Sequence, residues 1–443
     1  MNVAVNIVVV GGGSSYTPEI IEGFIDRYEE MPVKQITLVD ILEGQEKLNV
    51  ITNLSKRMVA RAGRDIKIVS TLNLEEALAG ADFVTSQIRV GGLDARAKDE
   101  AIPLRKGLVG QETNGAGGIF KAFRTIPVLL HLSEMMAKIC PHAWLINFTN
   151  PAGIVTEALL RHGPHKQVIG VCNIPFNMRS GIAEMFDVPV AEVEIEFIGL
   201  NHFIFGRKVW IRGEERTEEA LAKSIAEGVD YSPANIVSLG WTPELIKALG
   251  MFPNPYHQYY FQTKSVITKD TEALRTSGTR ADVVKKVEES LFDTYRSPAL
   301  DVKPKELEQR GGAFYSDAAC NLIVSLYTNK QDIQTVNTLN QGAITDLPDE
   351  AVIEINAIIT QDGPQPVSVG ELPHQVSGLI HQMKHMEELT IRAAISGDYH
   401  EAYLALLINP LIGDERLAKE LLDELLEAHQ AYLPQFATRE ENV

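Results

Sequence analysis

The chain has 443 residues, 45% of them hydrophobic and 23% charged, with a formal net charge of −18. That length predicts two domains sharing an interface. The negative charge argues against a nucleic-acid partner, and no apolar run approaches the roughly 18 residues needed to cross a membrane.

From the first residues onward, short β-branched runs alternate with amphipathic stretches. Strands are predicted at 5–10, 35–39, 66–70, 83–88, 143–148 and 168–171, and helices at 18–28, 44–62, 120–139 and 152–161. The first run carries no basic segment or cleavage site ahead of its glycines, so it reads as a strand of a cytoplasmic protein. Strand–helix alternation of this kind predicts an α/β, Rossmann-like, doubly wound parallel sheet. Beyond Cys172 the pattern changes. Residues 192–200 and 203–211 alternate apolar and polar around a turn, as an antiparallel pair does. A mostly helical stretch follows, then a second strand pair near 333–340 and 351–359, then long amphipathic helices that include 414–431. The predicted division is residues 1–172 as the dinucleotide-binding domain and 173–443 as an α+β domain carrying substrate, metal and subunit contacts.

Gly11-Gly12-Gly13-Ser14-Ser15-Tyr16-Thr17-Pro18 follows the first strand and opens the first helix. Gly11 and Gly13 fit the first two glycines of G-x-G-x-x-G, which allow a tight turn and a close backbone approach to a pyrophosphate. Tyr16 replaces the third glycine, so the helix must pack differently against its strand. Gly11, Gly13, Ser14, Ser15 and Tyr16 are the candidate cofactor contacts of this loop. Asp40 ends the second strand, where a carboxylate accepts from ribose hydroxyls and repels a 2′-phosphate; NAD is therefore expected over NADP. The alternative is a glycine turn with Asp40 capping the next helix.

Asn150-Pro151 ends the fifth strand and looks like the N-P signature of lactate and malate dehydrogenases, whose overall architecture the whole chain is expected to share. The three cysteines, Cys140, Cys172 and Cys320, are too few and scattered for a disulfide framework. Cys172 ends the sixth strand just before a helix, a setting that favours thiolate, and His202 sits at the turn of the antiparallel pair. A lone cysteine or histidine is ordinarily structural, but thiolate plus imidazole would make an open site for Mn²⁺, Fe²⁺, Co²⁺ or Ni²⁺.

The segments GGGSSYTP, GGLDARAKDEAIPLRKG, GQETNGAGG, NFTNPAG, CNIP and GLNH, in this order over residues 11–202, resemble glycoside hydrolase family 4. Within that family, C-N-[VI]-P is similar to the branch acting on 6-phospho-β-glucosides such as cellobiose 6-phosphate. The resemblance implies an NAD- and divalent-metal-dependent route, with Mn²⁺ the expected metal: oxidation at C3, proton loss at C2, elimination of the aglycone, addition of water, and reduction. It implies Cys172 and His202 as metal ligands, and Tyr256 as the base, with Tyr259 and Tyr260 as rivals. Glu112 matches a position that helps draw off the tyrosine proton; a loop hydrogen bond is its plainer reading. Arg96 and Asn150 match substrate-binding positions, and Arg280 is the second-domain candidate, with Arg89, Arg105, Arg124 and Arg275 as further arginines able to meet a phosphate. Asn173 stands where α-specific relatives place an acid. Asparagine cannot donate a proton as an acid does, which leaves it an orienting role. The family also implies a homodimer or homotetramer taking a phosphorylated disaccharide or aryl glucoside. The rival readings are a 2-hydroxy-acid dehydrogenase and a catalytically silent NAD-sensing regulator.

Overall fold

The computed structural model describes residues 3–228, 236, 238–310 and 315–437. Strand β1 (Val5–Val10) reads VNIVVV, and most of it is buried because helices cover both faces of its sheet. It pairs in parallel with β2 (Val33–Val39) on one side and β4 (Phe83–Ser86) on the other. β3 (Lys67–Thr71) lies outside β2, while β5 (Trp144–Asn147) and β6 (Val168–Gly170) continue beyond β4. The order β3-β2-β1-β4-β5-β6 is the predicted doubly wound arrangement. Its topological switch falls between β1 and β4, where ligands bind past the strand C-termini.

The intervening helices are α1 (Thr17–Asp26), α2 (Gln45–Arg61), α3 (Leu74–Leu78), α4 (Gly92–Arg105), α5 (Gly115–Ile139) and α6 (Ala152–His162). Helix α5 begins five residues earlier than the sequence pattern suggests, in the glycine-rich GAGG. Those glycines lower helix propensity, yet the site requires them: a Cβ on Gly117 would lie 2.3 Å from the Gln111 carbonyl oxygen, and one on Gly118 2.5 Å from the Thr113 backbone. Further along α5, Phe120 and Phe123 are fully buried and meet edge to face at 5.2 Å. Each such burial stabilises the fold by about 1.5–3 kcal/mol.

After α7 (Ile174–Phe186), β7 (Val193–Leu200) and β8 (Phe203–Ile211) form the expected antiparallel pair. The two-residue strands β9 (Glu214–Glu215) and β10 (Phe252–Pro253), both paired with β8, complete this second sheet. Around it lie α8 (Thr217–Glu227), α9 (Pro243–Leu249), α10 (Gln258–Phe261), α11 (Thr263–Thr276), α12 (Arg280–Tyr295) and α13 (Tyr315–Thr328). The later strand pair also exists, as β11 (Ile333–Leu339) and β12 (Val352–Thr360), with β13 (Gly363–Pro366) beside it. It joins the first sheet: β11 lies antiparallel to β6, giving nine strands in the order β13-β12-β11-β6-β5-β4-β1-β2-β3. A division after residue 172 therefore runs through this sheet rather than beside it. The reason is the apolar edge of β6, which would otherwise expose unpaired backbone groups.

Asn356 of β12 fastens the two sheets together. Its amide donates to the Ile195 carbonyl at 2.9 Å and its carbonyl accepts from the Phe197 N–H at 2.9 Å, so one side chain copies a strand's hydrogen bonding. The chain closes with α14 (Ser377–Ser396), α15 (Tyr399–Ile408) and α16 (Glu415–Ala428). Asp414 caps α16 by accepting from the Leu417 N–H at 2.9 Å, and Leu421, Leu422 and Leu425 face the core. Among the described residues, no helix is long and apolar enough to cross a membrane.

Candidate active site

The C-terminal ends of β1, β2, β4, β5 and β6 bring the predicted residues to one edge of the sheet. Gly11 takes φ +84°, and a Cβ there would press on the Gln87 carbonyl oxygen at 3.0 Å, so two constraints call for glycine. Gln87, just past β4, donates to the Gly11 carbonyl at 3.2 Å and to Thr17 Oγ1 at 2.8 Å. This loop-holding glutamine has no signature in the sequence beyond its place at the switch point. Asp40 accepts from the Gly13 N–H at 2.8 Å and from the Ile41 N–H at 2.9 Å. Its carboxylate thus tethers the glycine loop to β2. Ser15 is buried, with its hydroxyl 3.4 Å from Glu288 and its carbonyl accepting from the Tyr295 hydroxyl at 2.9 Å. Tyr16 precedes α1, and the guanidinium of Arg310 lies 4.3 Å from its ring centroid. Helix α12 and its neighbours therefore brace the loop from the second half of the chain.

Asp40→Ala is expected to weaken NAD binding by about 1–3 kcal/mol, the scale of a hydrogen bond to a charged group. A titration that finds NAD affinity unchanged in the folded variant would remove Asp40 from the cofactor site.

Beside the loop lies a buried charge cluster. Glu112 pairs with Arg89, with Arg96 at 3.0 Å and with Lys121 at 2.8 Å. Burial works against its ionised form, but the three cations outweigh burial and hold its carboxyl well below the usual carboxylate range. Burial and the nearby Arg89 push Lys121 down to about 7, against the pull of Glu112. Arg96 also meets Glu100 at 2.7 Å, and Glu100 accepts from the Ala281 N–H at 2.8 Å. That bond, with the Thr279–Asp282 capping box, docks the first turn of α12 here. It brings Arg280 beside Arg96; burial and then Arg96 lower its pKa. Of the other arginines, Arg89 joins the cluster. Arg124 is committed to Asp99 through two bonds of 3.0 and 2.5 Å, Arg105 pairs with Glu424 at 3.3 Å, and Arg275 is exposed.

Past β6, the sulfur of Cys172 lies beside the Asn201 amide and the backbone N–H groups of Ile174 and Asn173 at the start of α7, all of which favour its ionised form. The expected helix-end setting is present, yet burial dominates and pushes the thiol up. His202 follows Asn201 in the β7–β8 turn at φ +60°, a conformation uncommon for a residue with a Cβ. Burial, then Lys121, lowers its pKa to about 3, so its ring is neutral and has a lone pair for a metal. Among the described residues no group of three or more His, Cys, Asp or Glu forms a metal cage. The pair Cys172–His202 suits a site whose other positions are filled by substrate oxygens and water.

Tyr256 stacks on His202 with ring centroids 4.0 Å apart, and its hydroxyl is hydrogen-bonded to Thr113. Burial, followed by the nearby Cys172, raises its pKa well above the ordinary value. The rival phenols are buried close by: the Tyr260 hydroxyl donates to Asn114 at 3.1 Å, and the Tyr259 ring lies 6.1 Å from that of Tyr256, within electrostatic reach of Asp270, Glu100, Arg96 and Glu112. Asn150 accepts from the Ala152 N–H at 3.3 Å, and Pro151 lines a small cavity with Asn201 and His202. The bend before it is held by buried Asn147, which accepts from Ser86 at 2.9 Å and from the Thr149 N–H at 3.0 Å; it was not singled out in the sequence. Cys140 and Cys320 are buried away from this edge, Cys320 against Gly23.

A dinucleotide loop and a two-ligand cation site at one sheet edge are parts of a cofactor-dependent enzyme, not of a hydrolase built on two opposed carboxylates. The chain belongs to the family 4 glycosyl hydrolases: that family's model matches residues 6–188 and the model of its C-terminal domain residues 197–412. It is 52% identical to a probable 6-phospho-beta-glucosidase of Bacillus subtilis, covering 98% of this chain and 99% of that one. Against the 6-phospho-beta-glucosidase of Escherichia coli K12 the identity is 45%, over 99% and 98%. The 6-phospho-beta glucosidase of Thermotoga maritima, solved with manganese, NAD+ and glucose-6-phosphate, superposes with a TM-score of 0.87 at 36% identity, over 97% and 99%. A malate dehydrogenase of Plasmodium falciparum, 14% identical, shares the fold with a TM-score of 0.51 over 88% of this chain and 98% of that one.

Proposed function

We propose that the chain is a 6-phospho-β-glucosidase, releasing glucose 6-phosphate from 6-phospho-β-D-glucosides such as cellobiose 6-phosphate with NAD and Mn²⁺ as cofactors. The observation that carries this reading is the juxtaposition of Cys172, His202 and Tyr256 at the edge where the dinucleotide fold presents its nicotinamide, beside a surplus of buried cations. When bound, the cofactors supply reversible hydride exchange at C3 and Lewis-acid polarisation of the sugar oxygens.

The residues divide the remaining work. Cys172 and His202 hold the metal. Tyr256 takes the C2 proton, made acidic by a transient ketone at C3. Arg96, Asn150 and Arg280 hold the sugar phosphate; Arg89, Arg96, Arg280 and Lys121 outnumber the carboxylates of Glu112 and Glu100 and leave positive charge for an anion. Glu112, saturated by Arg89, Arg96 and Lys121, is a weak proton acceptor, so its task is to hold those cations beside the substrate. Asn173 orients the sugar, and protonation of the leaving group falls to water or to another residue. Residues 1–172 bind the dinucleotide and lend Arg96, Asn150 and Cys172 to the site; residues 173–443 supply the other substrate and metal contacts and those between subunits. We also place the protein in the cytoplasm as a homodimer or homotetramer, a state that light scattering reads directly.

The test is a panel of chromogenic α- and β-glucosides, each with and without a 6-phosphate, assayed with NAD+ and Mn²⁺ under reducing conditions. Only the phosphorylated β-glucoside should be cleaved. Preference for the α-anomer or for unphosphorylated sugar would overturn the assignment.

A further inference from the structure

Glu354 lies in the middle of β12, wholly buried, and takes no part in the reaction as described. Its Oε1 accepts from the Asn201 amide at 3.1 Å and from the Asn337 amide at 3.0 Å. The backbone N–H of His202 lies near the same carboxyl group. Asn201 in turn lies beside the Cys172 sulfur and accepts from the Gly153 N–H at 3.2 Å. One carboxyl therefore holds Asn201, which is next to His202 in the chain and beside Cys172 in space.

The surroundings leave this arrangement little freedom. Asn337 stands opposite Glu354 on one side and opposite Gly170 of β6 on the other, so three neighbouring strands meet here. A Cβ on Gly170 would fall 2.8 Å from that of Asn337, and one on Gly153 2.7 Å from that of Asn201. Glu354 and Asn356 share one face of β12, since successive side chains alternate. Asn356 grips β7 at Ile195 and Phe197, and Glu354 grips the turn at its far end. His202 needs such a grip, because φ +60° persists only where neighbouring structure holds it.

We infer that Glu354 is a positioning residue for the metal site, fixing the Asn201–His202 turn and, through Asn201, the Cys172 sulfur. The antiparallel extension of the first sheet thereby delivers the outer support that metal ligands require. The inference rests on the assignment of Cys172 and His202 as ligands.

Glu354→Leu keeps the buried volume but removes the oxygen that accepts from the Asn201 and Asn337 amides. In the NAD-loaded variant, Mn²⁺ affinity measured from free Mn²⁺ by electron paramagnetic resonance should fall about 10- to 100-fold, the range for loss of an outer-shell partner. The thiolate-to-metal absorption of the Co²⁺-loaded protein should shift, NAD affinity should not change, and kcat should recover toward wild type at saturating Mn²⁺. Unchanged Mn²⁺ affinity with an unchanged Co²⁺ spectrum overturns the inference, as does an equal loss of NAD binding, which would mark a general disturbance. If the variant does not fold, Asn201→Ala carries the same test: with the relay cut, intact metal affinity would refute it. A wild-type protein that binds neither Mn²⁺ nor Co²⁺ would fail the metal assignment itself, a result distinct from a variant that binds as wild type does.

Discussion

Tyr256→Phe is expected to lower kcat by about 10²- to 10⁴-fold, the usual contribution of a positioned general base, with NAD and Mn²⁺ binding retained. Phenylalanine keeps the ring that stacks on His202 at 4.0 Å, so only the hydroxyl is lost. Burial and the neighbouring Cys172 hold that phenol protonated, and a phenol so placed is a base only when cationic charge stands beside it. A divalent ion held by Cys172 and His202 would be that charge, since the nearby Glu112 itself acts to raise the phenol. Isotopes separate this route from displacement at C1. Wild-type turnover in D₂O should place deuterium at C2 of the released glucose 6-phosphate, and substrate deuterated at C2 or C3 should react more slowly where those cleavages limit the rate. In Tyr256→Phe, exchange and turnover should fall together. Full turnover by the variant would dismiss Tyr256, and exchange that survives without turnover would move the base to another residue.

Much of this site was legible because its chemistry sits at strand ends. The glycine loop, Asp40, Asn150-Pro151 and Cys172 each close a short β-branched run, and the parallel order of those runs brings them to one edge. His202 was legible as a turn residue between alternating strands. What stayed hidden are polar side chains whose partners come from distant elements. In VIEINAIIT, Glu354 and Asn356 read as the solvent side of an alternating strand. That face is instead covered by β7, a fact of tertiary packing that no local period records. Lys121 occupies the middle of an otherwise apolar helix face, where a lysine ordinarily extends to water. Its partner Glu112 lies in a loop whose shape is set by Gln111 accepting from the Thr113 and Asn114 N–H groups. The motif marks Glu112 as a site residue; only the three cations around it distinguish a proton acceptor from a charge holder. That β11 to β13, in the second half of the chain, extend the first sheet was hidden for a related reason, because strand pairing across the sheet leaves no mark in either partner's composition.

Removing a metal ligand should have the other large effect. Cys172→Ser is expected to abolish hydrolysis and to weaken Mn²⁺ binding by at least about 100-fold, beyond what loss of an outer-shell partner costs. Serine keeps the volume and can still meet the Asn201 amide and the two helix N–H groups. Its hydroxyl, however, stays protonated at neutral pH and offers only a neutral oxygen in place of a soft thiolate. At the second ligand, alanine would confuse two effects, because position 202 has φ +60° and an ordinary side chain is strained there. His202→Asn is the cleaner change, since asparagine tolerates that backbone and cannot replace the imidazole at the same reach. Both variants should bind NAD as wild type does, because the glycine loop and Asp40 belong to the ends of β1 and β2 while Cys172 follows β6. A chelator should silence the wild-type enzyme, and added Mn²⁺ should restore it. In Cys172→Ser the same addition should fail at concentrations that saturate the wild type. If chelated wild type kept its activity, no catalytic metal would be left to assign. If Cys172→Ser lost activity but held Mn²⁺ as tightly as before, the thiol would act on the substrate and not on the metal.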